Sequence, residues 1–179
     1  RFEEKSSCGV GFVAGRTGVA EHQILEQGLN ALCGVEHRGA CLADQITGDG
    51  AGIMADIPFD LFGYAPGTIA AATLFLRTTS KERRRALDIV EQTFEFMGLP
   101  VVGVREVPTV PEILGPQAIE TLPELLHVFF AWPKHCRTDE SLNRLLYLAR
   151  QKTRTRLKDA GIHQEVFFAS LSTRTIIYK

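Results

Sequence analysis

The sequence has little of what marks a membrane, secreted or nucleic-acid-binding protein. No apolar run in its 179 residues approaches the ~20 that a membrane helix needs, so we expect no membrane partner. The net charge of -1 argues against a nucleic-acid partner held by bulk charge. No apolar segment follows the charged first residues, so no secretory signal is visible. Four irregularly spaced cysteines are typical of reduced thiols in the cytoplasm.

Common cofactor and metal motifs are missing as well. The sequence contains no dinucleotide fingerprint and no phosphate loop, because the glycine-rich stretch 47–52 precedes a predicted strand and not a helix. There is no Cys-x-x-Cys pair, which structural zinc sites usually have. Cys33, His37 and Cys41, with His135 and Cys136 as further ligands, remain an alternative metal site, but we expect none.

The sequence is that of an ordinary globular domain. Hydrophobic residues make up 45% and charged residues 23%, and no repeat or linker divides the chain. Strands and helices do not alternate strictly, which favours an α+β fold of antiparallel sheets covered by helices. The apolar spacing predicts strands at 8–14, 51–57, 68–77, 101–107, 125–132, 165–171 and 174–178, and helices at 21–35, 58–62, 80–97 and 139–159. We expect the last two strands to pair through a turn at Ser172 and Thr173, and residues 108–123 to be irregular.

Cys8 opens the first predicted strand and is followed at once by glycines. Only the mainly polar residues 1–7 precede it. If they were removed, Cys8 would carry both a thiol nucleophile and an α-amine with a pKa near ~7.7–8.0, which can act as the general base. The residues alone leave an alternative open, since a cysteine in such a strand is often a small buried hydrophobe.

Three segments, 8–14, 36–40 and 47–53, lie in the order and at the spacing of one family. Together they resemble the amino-terminal glutaminase domain of the glutamate synthase large subunit, a class II glutamine amidotransferase of the N-terminal-nucleophile hydrolase type. Residues 170–179 look like a later segment of the same domain. The resemblance implies a four-layer αββα sandwich, of which this chain is the first half. It also implies a propeptide-like segment at 1–7 and a partial amidotransferase domain at 8–179.

The same resemblance assigns the site residues. Cys8 would be the nucleophile that attacks the side-chain amide of glutamine, and Arg38 would lie close to its thiol. A guanidinium there would also stabilise the thiolate, although an ion pair of Arg38 with Glu36 or Asp49 is the structural alternative. The residues expected to support the substrate site are Gly9, His37, Gly39, Gly48, Asp49 and Gly50. The family's oxyanion pair and its carboxylate-binding arginine belong to segments beyond residue 179, so we expect the chain alone to be inactive.

Partners and cofactors follow from the resemblance too. It implies L-glutamine as the substrate and the remaining part of the polypeptide, or a partner subunit, as the acceptor of ammonia for 2-oxoglutarate amination. FMN and an iron-sulfur cluster are expected in the rest of a full-length glutamate synthase and no cofactor in this chain. The expected location is the cytoplasm, or the plastid stroma in a plant or alga. The alternative is a non-catalytic module that binds a partner subunit, with the basic residues 150–158 as a docking surface or simply a solvated helix face.

Overall fold

The computed structural model describes residues 9–19, 21–35, 39, 46–48, 50–77 and 81–178. The chain divides into two units. The smaller contains Arg1–Ala55, Val110–Glu120 and Tyr178–Lys179, and the larger contains Asp56–Thr109 and Thr121–Ile177.

Helices and strands alternate irregularly along the described residues, as expected for an α+β protein. The helices are α1 (His22–Gly34), α2 (Phe59–Phe62), α3 (Arg83–Phe96), α4 (Pro116–Glu120) and α5 (Asp139–Asp159), with a 3-10 turn at Pro111–Ile113. The strands are β1 (Ile53–Asp56), β2 (Ile69–Arg77), β3 (Val101–Glu106), β4 (Pro123–Ala131), β5 (Val166–Ser172) and β6 (Thr175–Tyr178).

A four-stranded antiparallel sheet is the centre of the larger unit, with the strand order β3-β4-β2-β5. The two central strands pair over their whole length, from Ile69 opposite Ala131 to Arg77 opposite Pro123. Both are almost entirely buried, because each is covered on its two faces. A second sheet consists of β1 and β6. The predicted α+β class with antiparallel sheets and flanking helices is therefore confirmed.

Helices α3 and α5 cover one face of the four-stranded sheet and form the main core with it. The ring of Phe94 on α3 stacks on Phe130 of β4, with centroids 4.2 Å apart, and lies 5.9 Å from the ring of Phe168 on β5. Leu142 and Leu146 supply the buried stripe of α5 at the predicted helical spacing. This core contains buried apolar side chains from β2, β4, β5, α3 and α5.

The ends of the long helices follow local sequence signals. The Thr138 side chain accepts a hydrogen bond from the Ser141 N–H, and the Ser141 hydroxyl accepts one from the Thr138 N–H, which makes a capping box at the predicted start of α5. Gly98 follows α3 with φ of 77°, the left-handed conformation that glycine commonly adopts just after a helix ends. Glu82 occupies the N-cap position of α3, and Ser80, the first residue of the predicted helix, lies outside the described residues.

The opposite face of the sheet carries an aromatic cluster. His127 and Phe129 of β4 face the ring of Phe62 on α2, and Tyr64 packs on Phe129. His127 is fully buried. Desolvation, and then the charge of Arg105, lower the pKa of His127 to about 4. This histidine is therefore a neutral core residue at physiological pH.

The predicted first strand is wrong for the described residues 9–14. They form no regular element, and Val10 and Phe12 are 95% and 93% exposed. An apolar run becomes a strand only when a neighbouring strand satisfies its N–H and C=O groups, and the described residues provide none here.

The predicted pairing of the last two strands is also wrong. β5 pairs with β2, whereas β6 belongs to the other sheet. Ser172 makes the corner, since its hydroxyl oxygen accepts hydrogen bonds from the N–H groups of Arg174 at 3.1 Å and Thr175 at 3.3 Å. This serine turn redirects the chain between sheets instead of folding it back on the same one.

Residues 108–123, predicted to be irregular, include the 3-10 turn and α4. Pro111 and Pro116 begin these two elements. Proline suits the first turn of a helix, because an N–H at that position would have no hydrogen-bond partner within the helix. Among the helices described, none has the length and apolar content required to cross a bilayer.

Candidate active site

The glycines predicted to support the site are Gly9, Gly39, Gly48 and Gly50. All of them are among the described residues, and all belong to the smaller unit. All four are exposed. The other residues predicted for the site, which lie outside the described residues, are Cys8, His37, Arg38 and Asp49.

The backbone that directly follows Cys8 is open to solvent. Gly9 and Val10 are exposed, and a Cβ added to Gly11 would meet no atom within 4 Å. Further along the chain, a Cβ added to Gly15 would lie 3.7 Å from the Ile24 side chain of α1. An open backbone of this kind leaves room for a substrate or for a second chain segment.

Helix α1 leads towards the predicted Arg38 segment and packs closely on β1. A Cβ added to Gly28 would come within 3.2 Å of the Ile53 Cδ1 atom, which is tighter than an ordinary contact. Gly28 therefore allows the helix and the strand to approach. The helix ends at Gly34, and the N–H of its C-cap residue Val35 donates to the Leu32 carbonyl at 3.2 Å. The helix predicted over 21–35 is confirmed, with observed bounds of His22–Gly34.

The glycine-rich stretch 47–52 begins with a buried threonine. Thr47 is 7% exposed, whereas Gly48 and Gly50 are exposed. A Cβ on Gly115 would collide with the Thr47 hydroxyl and approach its backbone nitrogen to 2.8 Å. The described part of this loop therefore combines a buried first residue with exposed glycines. Sequence reasoning missed Gly115, for which the only local signal is a glycine directly before Pro116.

The described thiols fall into two environments. Cys33 is exposed on α1, and Cys136 is buried in the core of the larger unit, where its carbonyl accepts a hydrogen bond from Trp132 Nε1 at 2.7 Å. Neither belongs to a group of three or more histidine, cysteine, aspartate or glutamate side chains that could bind a metal ion within the described part of the chain. His37 and Cys41, the other members of the alternative metal site, lie outside that part.

Comparison with known protein families identifies the family to which the chain belongs. The profile described as glutamine amidotransferases class-II matches residues 8–179, so the match begins at Cys8 itself. The chain is a member of the class-II glutamine amidotransferases. The family resemblance found in the three sequence segments is confirmed.

Comparison with curated proteins gives the same family and, more specifically, a similarity to glutamate synthases. The chain is 36% identical over 99% of its length to ferredoxin-dependent glutamate synthase 1, chloroplastic/mitochondrial, of Arabidopsis thaliana. It is 36% identical over 99% to ferredoxin-dependent glutamate synthase 2 of a Synechocystis strain and 35% identical over 99% to the glutamate synthase [NADPH] large chain of Azospirillum brasilense. The chain spans about 12% of the length of the Arabidopsis and Synechocystis relatives. It is homologous to the glutamine amidotransferase part of these glutamate synthases.

Proposed function

We propose that this chain belongs to the glutamine-hydrolysing part of a glutamate synthase and that Cys8 is its nucleophile. The observation that carries the proposal is the family match, which starts at residue 8 and continues to residue 179. A family boundary at a cysteine supports a mature chain that begins with that cysteine. Residues 1–7 would then be a propeptide-like segment, and 8–179 part of the amidotransferase domain.

The chemistry uses both groups of an amino-terminal cysteine. The α-amine accepts the thiol proton, and the thiolate sulfur attacks the side-chain carbonyl of glutamine. The C–N bond breaks, ammonia leaves with the returned proton, and a γ-glutamyl thioester remains. Water then attacks the thioester with the amine again as base, which releases glutamate and regenerates the thiol. These reaction steps need no external oxidant, reductant or metal ion.

The remaining site residues are proposed in supporting roles. Arg38 favours the thiolate by its positive charge, and His37 with the glycines of the two loops shapes the substrate site. The exposed backbone of Gly9, Gly48 and Gly50 agrees with such a role, since glycine allows a substrate to approach the main chain closely.

The products define the partners of this reaction. We propose that the ammonia is used in the remaining part of the polypeptide, or in a partner subunit, to aminate 2-oxoglutarate. FMN and an iron-sulfur cluster would serve that part, and we assign no residue of this chain to them. The named relatives include chloroplastic and cyanobacterial enzymes, which supports a place in the cytoplasm or the plastid stroma.

The decisive experiment measures glutamate release from glutamine by the complete gene product, together with the mass of its amino terminus. We expect an active protein that begins at Cys8, and a Cys8→Ala variant with no turnover. Cys33→Ala is the matched control, because Cys33 is an exposed thiol on α1 and should leave turnover unchanged. Turnover by the Cys8→Ala variant, or an active protein whose first residue is Arg1, would refute the proposal.

A further inference from the structure

Gly115 lies directly against the first residue of the glycine-rich stretch 47–52. A Cβ added at position 115 would meet the Thr47 hydroxyl oxygen, and it would lie 2.8 Å from the Thr47 backbone nitrogen and 3.1 Å from its Cα atom. Both residues belong to the smaller unit, although they are distant in sequence. Real Cβ atoms essentially never come within 3.0 Å of such a neighbour, so any side chain at position 115 would force one of the two segments to move.

Space, and not a special backbone conformation, accounts for the glycine at this position. Gly115 is not among the glycines with positive φ. It directly precedes Pro116, and the residue before a proline is restricted to extended conformations that residues with a Cβ also adopt. The position therefore does not require glycine for a left-handed turn. It requires the absence of a Cβ atom, because another part of the backbone occupies that space.

The Gly115 side of this contact is fixed by backbone hydrogen bonds before and after it. The Leu114 N–H donates to the Pro111 carbonyl at 3.0 Å, which closes the 3-10 turn. The Gly115 carbonyl accepts hydrogen bonds from the N–H groups of Ala118 at 3.0 Å and Ile119 at 3.1 Å, which connect it to α4. A retreat of Gly115 from an added Cβ would strain these bonds, so we expect little movement on this side.

The loop side of the contact yields more easily. Thr47 is buried, but the residues that follow it include Gly48, Gly50 and Gly52. Glycine has the widest range of allowed backbone conformations, so a glycine-rich segment adjusts at lower cost than a segment that begins with proline. To reach an ordinary contact of 3.4 Å, the Thr47 nitrogen would have to move from its 2.8 Å position by several tenths of an ångström. We expect this shift to be passed on to the glycines.

A shift of this size is important for a loop that contributes to a substrate site. Gly48 and Gly50 are predicted site residues, and both are exposed. A misplacement of about 1 Å, even one caused by a substitution far from the reacting atoms, can reduce an enzymatic rate about 10²-fold. A residue that supports such a loop from behind therefore influences the reaction without contacting the substrate.

We propose that Gly115 is a positioning residue for the glutamine site. The absence of a side chain allows the 3-10 turn and α4 to lie against Thr47, and this contact sets where Gly48 and Gly50 present their backbone to glutamine. The proposal rests on the proposed function, because it takes the glycine-rich stretch to belong to that site. It adds the segment Val110–Glu120 to the parts of the chain on which substrate binding depends.

The test compares glutamine hydrolysis by the complete gene product and by its Gly115→Ala variant. We expect KM for glutamine to rise about tenfold or more while kcat changes much less, because the reacting groups of Cys8 are not altered. Partial unfolding would instead lower kcat at an unchanged KM, since the molecules that remain folded would bind glutamine normally. Gly34→Ala is the matched control and should leave KM unchanged, because an added Cβ at position 34 meets no atom within 4 Å.

A second variant separates the backbone contact from the side-chain contact, and it applies equally if Gly115→Ala folds poorly. Thr47→Ala/Gly115→Ala removes the hydroxyl, which is the atom closest to the added Cβ, but leaves the backbone nitrogen of residue 47 at 2.8 Å. KM of this double variant should remain several-fold above that of Thr47→Ala alone. Equal KM values for these two proteins would mean that only side-chain crowding is involved, and would overturn the positioning role.

Hydrogen exchange provides a readout that does not depend on turnover. Gly115→Ala should alter amide exchange in peptides that contain residues 46–50, whereas Gly34→Ala should not. An active Gly115→Ala protein with the KM of the unaltered protein would overturn this proposal and leave the glutaminase activity intact. Absence of turnover in the unaltered protein would refute the glutaminase activity, and unchanged exchange over 46–50 in Gly115→Ala would then refute the positioning role as well.

Discussion

The rings of Phe62 and His127 meet edge to face in the larger unit, with centroids 5.2 Å apart. Arg105 lies directly across the strand pair from His127, and its guanidinium carbon is 5.4 Å from the centroid of the same Phe62 ring. A protonated imidazole would therefore be both buried and close to a second positive charge. This explains why the native protein holds His127 neutral, with its pKa lowered to about 4.

The first prediction is a loss of stability in mild acid. The pKa of His127 is 6.5 as a free side chain and about 4 in the native state. The unfolded chain therefore binds its proton first as the pH falls. Stability should be complete above pH 6.5 and should decrease towards pH 4, by up to about 3 kcal/mol.

Urea denaturation at a series of pH values measures this effect. His127→Gln should remove most of the pH dependence in this window, although it lowers stability at neutral pH. His163→Gln, at an exposed histidine, should leave the pH dependence unchanged. Equal pH profiles for the unaltered protein and His127→Gln would contradict the assignment.

The second prediction concerns Gly103 in β3. A Cβ at this position would collide with the Tyr64 hydroxyl, which donates a hydrogen bond to the Val102 carbonyl, and would lie 3.3 Å from Phe129. Gly103→Ala should lower the free energy of unfolding by about 1–3 kcal/mol, the usual effect of overpacking.

Chemical denaturation of a second variant tests the cause of that loss. Removing the hydroxyl in Gly103→Ala/Tyr64→Phe should recover part of the lost stability, since the closest clash is gone. Gly34→Ala is a control, because an added Cβ there meets no atom within 4 Å. No recovery in the double variant would mean that the hydroxyl is not the obstacle.

The third prediction concerns Ser170, which connects three strands. Its hydroxyl oxygen accepts hydrogen bonds from the N–H groups of Thr73 and Ile177, both at 3.3 Å. The ladder between β2 and β5 shifts register at Thr73 and Leu74, so the Thr73 N–H depends on this side chain. Ser170→Ala should destabilise the protein by about 1–3 kcal/mol by leaving these donors unsatisfied.

Hydrogen exchange provides a local measurement for Ser170→Ala. The amides of Thr73 and Ile177 should lose protection more than those elsewhere in the same strands. Thr155→Ala is a suitable comparison, because Thr155 is exposed and its hydroxyl donates to the Gln151 carbonyl in the preceding turn of α5. A uniform loss of protection throughout the sheet would argue against the local role.

The fourth prediction tests the proposed role of Arg38 beside the Cys8 thiol. If the guanidinium stabilises the thiolate, Arg38→Gln should slow alkylation of Cys8 by iodoacetamide at neutral pH by about tenfold or more. Arg38→Lys should retain part of the reactivity, since it keeps the charge. Arg16→Gln, at an exposed position, is the control for a simple change in net charge. Unchanged alkylation in Arg38→Gln would assign Arg38 to a structural ion pair instead.

Local sequence patterns determined the helices and the family. Apolar residues at helical spacing predicted α1, α3 and α5, because a helix satisfies its own backbone hydrogen bonds, and α3 and α5 also bury an apolar stripe. The Thr138 cap and the Gly98 stop are signals within a few residues of the helix ends that they define. The three glycine-containing segments identified the amidotransferase family, which the match over residues 8–179 confirms.

Only the tertiary structure decided which strands pair and which polar residues are buried. β5 and β6 adjoin in sequence yet belong to different sheets, and the apolar residues 9–14 form no strand. Likewise, the residues near His127 in the sequence do not indicate that Phe62 and Arg105 are its neighbours in space. The physical reason is that a strand obtains its hydrogen bonds, and a buried side chain its electrostatic environment, from residues that are distant along the chain.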